Sequence, residues 1–218
     1  MANQAIALGL KFLTVTEHSQ TAGYAGGLKL DKMKQQWDAI DALNEKLKGK
    51  LQLLKGIESD ILEDGRLDYP EEVLSKLDLV ICSIHTRHSQ NEEQMTRRVL
   101  TAMDNPFFMI WGHPTGRLLL KREPAPMKME QILDKAASKG IVIEVNGAPE
   151  RLDLSAEHVR LALQRKLKIT VSSDSHSVDE VRDNLPLAVG TARKGWARKS
   201  DVINTRGAEE FLAALRPH

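Results

Sequence analysis

The sequence predicts an α/β fold in which parallel strands alternate with helices, the sheet being open or closed into a barrel. Two observations predict it. Short apolar runs rich in β-branched residues recur at Phe12–Thr16, Leu51–Ile57, Leu79–Ile84, Phe107–Trp111, Ile141–Val145 and Leu167–Val171, the pattern of buried strands. Between them lie the amphipathic stretches Leu30–Lys48, Asn91–Met103, Met127–Lys139 and Ser155–Lys166, several opened by polar caps or closed by glycine as helices are. Strands joined through helices pair in parallel. A chain of 218 residues, 41% apolar and 28% charged, is long enough for one sizeable core and is expected to form a single domain.

Taken in order, Met1–Leu10 reads as the end of a helix stopped near Gly9, feeding the first strand, Phe12–Thr16, which is followed by Glu17 and His18. Leu51–Ile57 is followed by Glu58, and Leu79–Ile84, which contains the only cysteine, Cys82, by His85. Phe107–Trp111 leads to His113; the short Arg122–Pro126 stretch, REPAP, is a loop beside a strand end rather than a domain linker. Ile141–Val145 leads to Asn146, and Leu167–Val171 to SSDSHS, which holds Asp174 and His176. Every strand therefore ends in a potential ligand. In parallel α/β folds these ends converge on one face. His88, His158 and His218 have no such placement and are assigned to a loop, a helix face and the terminus.

A net charge of +1 offers no strong global attraction for nucleic acid or acidic membranes, so an anionic partner must be held locally. The single cysteine excludes an internal disulfide and fits a reducing compartment. The opening lacks a basic leader or a long apolar core, and the expectation is a soluble, cytoplasmic protein with no membrane partner. Histidine and carboxylate together suit Zn, Mn or Fe, and a carboxylate can bridge two such ions.

TEHS at 16–19, GIESDI at 56–61, SIHT at 83–86, GHPTGR at 112–117, EVNG at 144–147 and SDSHS at 173–177 resemble, in order, the motifs of the polymerase and histidinol phosphatase (PHP) superfamily. With LDYPEEVL at 67–74 and VGTARKGW at 189–196, the chain looks most like the PHP domain of bacterial family X DNA polymerases. The resemblance implies a distorted seven-stranded (β/α) barrel, TIM-barrel-like, with a trinuclear metal site. It gives ligand roles to His18, Glu58, His85, His113, Asp174 and His176, with Glu58 bridging, and up to three divalent ions. Glu17 stands where the family usually has Asp and is not counted as a ligand. The family's opening strand with its His-x-His motif has no counterpart here, so one strand and three histidines are expected to be missing from an N-terminally incomplete domain.

The chemistry implied is hydrolysis of phosphate esters by water activated between cations. Arg117, in GHPTGR, is expected to bind a non-bridging phosphate oxygen. Ser83 and Asn146 are expected to orient ligands, although Asn146 could equally cap its loop. Three functions remain open: hydrolysis at DNA 3′ ends as an exonuclease or 3′-phosphatase, a small-molecule phosphatase of the histidinol-phosphate type, or a module without turnover. The basic pairs Lys121–Arg122, Arg193–Lys194 and Arg198–Lys199 would track a DNA backbone if they rim the metal face. A barrel lacking a strand exposes two ladder edges, which favours a homo-oligomer through strand pairing.

Overall fold

The structure, a computed structural model, describes residues 1–23 and 26–215; His218 lies outside them. The elements are α1 (Ala2–Ala7), β1 (Phe12–Val15), α2 (Leu30–Leu47), β2 (Gln52–Asp60), α3 (Glu71–Leu74), β3 (Leu79–Ser83), α4 (Glu92–Ala102), β4 (Ile110–Trp111), α5 (Met129–Lys139), β5 (Val142–Asn146), α6 (Ala156–Gln164), β6 (Ile169–Ser172), α7 (Val178–Lys194) and α8 (Ala208–Leu215). The strands form one six-stranded sheet in sequence order, every neighbouring pair parallel.

Local chemistry explains most boundaries. Asn91 accepts a hydrogen bond from the Gln94 backbone while the Gln94 side chain accepts one from the Asn91 backbone, fixing the start of α4. Ser155 caps α6, and Gly140, at φ 67°, supplies the left-handed stop of α5. Two elements depart from expectation. The run Phe107–Trp111 forms a strand only at its last two residues, because Asn105 folds 105–108 into a turn: its carboxamide oxygen accepts from the Phe107 N–H (2.8 Å) and its carbonyl from the Phe108 N–H (3.0 Å). β2 instead runs on to Asp60, so that Glu58 lies within the strand.

Side-chain alternation divides the core. On the outer face Ile57, Val80, Cys82, Trp111, Ile143, Val145, Ile169 and Val171 join one buried cluster with Val99, Ile132, Leu133, Val159, Ala162 and Ala188 of the covering helices. On the inner face Leu54, Leu79, Ile110 and Val142 bury themselves against Phe211 and Leu215 of α8, which plugs the end where the strands begin. Continuing the two-residue period along the same face brings Glu58 on β2, Ser83 on β3 and Glu144 and Asn146 on β5 towards the strands' C-terminal ends. The inside is therefore apolar at one end and polar at the other.

No further strand pairs with β1 or β6 among the described residues. The two edges are not equally bare. Beyond β6, Val202 makes a parallel bridge with Ile169, and the Asn204 carboxamide accepts from the Val171 N–H (3.1 Å) and donates to the Val171 carbonyl (2.6 Å). A side-chain amide thus does for β6 what a strand would do, leaving β1 as the open edge. The loop that supplies it lies at the start of β6, where Lys168 donates to the Ser200 carbonyl (3.1 Å). This places Arg198–Lys199, and Arg193–Lys194 at the end of α7 before it, towards the end of the sheet where the strands begin, so the condition under which these two pairs would track DNA beside the candidate ligands is not met.

Candidate metal centre

Four of the six predicted ligands converge. The Glu58 carboxylate lies 3.2 Å from His18 Nδ1, 3.3 Å from His85 Nε2 and 2.8 Å from His113 Nε2. Ligand atoms of His18, Glu58 and His85 all fall within 4.8 Å of one another. The imidazoles pack edge to face, with ring centroids 4.8 Å apart for His18 and His85 and 5.0 Å for His85 and His113. Asp174 and His176 line the same cavity, of about 520 Å³, on its other side; the His176 ring is 6.0 Å from that of His18. His113 and Asp174 are held at left-handed φ values of 23° and 48°, the backbone strain that non-glycine residues carry where a side chain must be aimed.

Electrostatics separates two buried carboxyls. Burial pushes Glu58 up, but hydrogen bonds from His113 and His85 outweigh it and hold this carboxyl well below the usual range. Burial raises Glu144, with the nearby Asp174 charge adding to the shift against His113, Ser172 and a backbone N–H. Glu144 accepts from the His113 N–H (2.5 Å) and from Ser172 Oγ (2.6 Å), and lies 3.2 Å from Asn146 Nδ2. Asn146 Nδ2 also donates to Asp174 Oδ2 (2.9 Å), so Asn146 orients a predicted ligand.

His85 is oriented from behind. Its Nδ1 meets the buried Asp60 carboxylate in a short contact. Burial lowers the His85 pKa, yet hydrogen bonds to Asp60 and Glu58 raise it to about 9. Asp60 is itself fixed: Thr21 Oγ1 donates to it (2.9 Å) and Ser19 Oγ accepts from its N–H (2.9 Å). For His18 burial dominates and lowers the pKa. Asp60 is the next inward residue after Glu58 on an alternating strand, which is legible only once β2 extends past Ile57.

Arg117 lies elsewhere than at the cavity wall. Its guanidinium donates to the carbonyls of Arg151 (2.8 Å) and Leu152 and so holds the 151–152 segment. Those carbonyls take donors on Nε and Nη2, and the expected phosphate contact of Arg117 would have to come from the other N–H groups. The guanidinium that does line the cavity is that of Arg151, whose Nε is 3.3 Å from Asp174 Oδ2. Nothing in the sequence spacing distinguished Arg151, because it sits in a loop without periodicity.

The donor set fits a divalent cation. Ligand atoms about 2.0–2.2 Å from a tetrahedral Zn²⁺ stand roughly 3.3–3.6 Å from each other, and the separations of His18 from Glu58 Oε2 and of His85 from Glu58 Oε1, 3.2 and 3.3 Å, are close to that size. The 2.8 Å His113 contact is a direct hydrogen bond.

No family model matches the chain. The chain is 37% identical over 216 residues to DNA polymerase/3′-5′ exonuclease PolX of Bacillus subtilis (strain 168), covering 99% of this chain but 38% of that protein. A protein of Thermoanaerobacter sp. (strain X514) described as a "probable phosphatase" is 32% identical over 190 residues, 80% of this chain and 70% of its own length. In fold, the chain superposes with a TM-score of 0.63 on histidinol phosphate phosphatase from Lactococcus lactis, a structure complexed with zinc, L-histidinol and phosphate, at 18% identity over 90% of this chain and 86% of that one. With the strand-end His, Glu and Asp series in place, this likeness to a relative across most of both chains settles kinship: the chain belongs to the PHP superfamily.

Proposed function

We propose that the chain is a metal-dependent phosphoesterase, with His18, Glu58, His85, His113, Asp174 and His176 as its metal ligands. The observation that carries this is the Glu58 carboxylate held among three imidazoles at one end of a parallel sheet. A divalent cation bound there supplies positive charge to phosphoryl oxygens and makes water more acidic. Both Glu58 oxygens face imidazoles, Oε2 towards His18 and Oε1 towards His85 and His113, so this carboxylate would be the one to serve two ions. Arg151 presents a planar guanidinium to the cavity, suited to two non-bridging phosphate oxygens, and Arg117 fixes it by bonding its backbone. Asn146 and Glu144 hold Asp174 and the His113 backbone. The likeness to family X polymerases supports DNA 3′ ends as the substrate and a seven-stranded barrel as the complete architecture; the fold shared with histidinol phosphatases supports the small-molecule alternative.

The test is turnover in manganese of a 3′-labelled oligonucleotide, of histidinol phosphate and of bis(p-nitrophenyl) phosphate. The reading expects hydrolysis of the oligonucleotide and of the diester, and loss of at least about a hundredfold in each for Glu58→Ala. Hydrolysis that survives Glu58→Ala would refute the site; preference for histidinol phosphate would move the substrate.

A further inference from the structure

A large apolar side chain stands in open solvent on a turn whose backbone is bonded to the cavity wall. Leu120 is fully exposed, at 107% relative accessibility, and its backbone is left-handed at φ 64°. Leucine seldom adopts this conformation, whereas asparagine does so more readily. The turn that carries it is closed by hydrogen bonds from the Leu118 N–H to the Arg122 carbonyl (2.9 Å) and from the Arg122 N–H to the Leu118 carbonyl (2.7 Å). Arg122 Nε also donates to the Gly116 carbonyl (2.8 Å).

The turn is anchored to the cavity wall. The Leu119 N–H donates to the carbonyl of Glu150 (2.6 Å), and Glu150 lines the cavity with Pro149 and Arg151. Leu120 is one residue beyond that bond and Lys121, also exposed, follows it. A rigid turn thus presents an apolar knob and then a cation at the rim.

The geometry points to Leu120 as a wedge that packs against the terminal base pair of a DNA duplex and frees the 3′ strand towards the cavity. This rests on the phosphoesterase reading and specifies its substrate as a polynucleotide end. Two neighbouring leucines, Leu119 and Leu120, are too small a surface for a stable protein interface, which buries about 800 Å² on each partner. A single apolar side chain suffices to unstack a base step, and a cation one residue away is placed for the adjoining phosphate.

The experiment uses the full chain and a duplex carrying 2-aminopurine at its 3′-terminal position, with and without manganese. Binding of the unsubstituted protein should raise the fluorescence of the unstacked base. Leu120→Asn should give a rise smaller by about fivefold or more at equal occupancy, in keeping with the worth of one base contact, while its thermal midpoint is unchanged or higher and its rate on bis(p-nitrophenyl) phosphate is retained. Leu120→Gly, also at ease with the backbone, should behave alike. Equal fluorescence in both proteins, no rise with the unsubstituted chain, or an equal loss on the small diester would overturn the wedge. A Leu120-dependent rise without hydrolysis of any substrate would uphold the wedge and refute the phosphoesterase reading.

Discussion

Asp60 shows how much of the candidate centre depends on side chains that would not touch an ion. It is buried, takes a hydrogen bond from Thr21 and fixes the His85 ring through Nδ1, leaving Nε2 turned towards Glu58. A histidine so oriented is a better ligand, because its tautomer and direction are already set. Asp60→Asn should therefore weaken manganese or zinc binding by about ten- to a hundredfold in a competition titration, with the fold retained by circular dichroism. Unaltered affinity would mean that Asp60 only fills space. At this scale the sequence was informative about candidate ligands and about Asn146, which holds Asp174, and silent about other supports such as Asp60. Glu58, His85, His113 and Asp174 follow strand runs and could be read from position, whereas Arg151 acquires its place only through Arg117, whose bonds to the 151–152 carbonyls are invisible in spacing.

Among the elements, strand alternation was the most legible feature, since parallel strands covered by helices must be apolar on their outer face and all six announce themselves. α7 was harder to read: Pro186 interrupts its pattern and Gly190 follows four residues later, yet tertiary packing of Val181, Ala188 and Ala192 holds it helical. α8 shows a division of labour. It seals the apolar end of the sheet's inner face through Phe211, which also stacks on Phe12 with ring centroids 4.8 Å apart. Phe211→Ala should cost about 3–5 kcal/mol in chemical denaturation while leaving the metal affinity of the folded protein within about twofold, because the apolar layer separates the plug from the polar end. A matching collapse of metal affinity would show that the two ends are mechanically coupled.

Across the whole molecule, a sheet of six parallel strands in sequence order gathers residues from positions 18 to 176 at one end, which is how a chain without any compact metal motif can still assemble a centre. The open β1 edge and the Asn204-capped β6 edge mark where this sheet differs from a closed barrel. The chain spans 38% of the Bacillus subtilis relative's length, so activities of that whole protein need their own demonstration here. The central claim is that Glu58 and its imidazoles hold divalent metal, and ligands that bind only the folded state raise its stability by mass action. The most direct measurement is metal content per chain by mass spectrometry after purification without chelator, paired with the thermal midpoint before and after EDTA. The account predicts at least one Zn, Mn or Fe per chain, a midpoint that falls on chelation and recovers on adding metal back, and neither property in Glu58→Ala. A metal-free chain whose midpoint responds to neither EDTA nor added cation would contradict it.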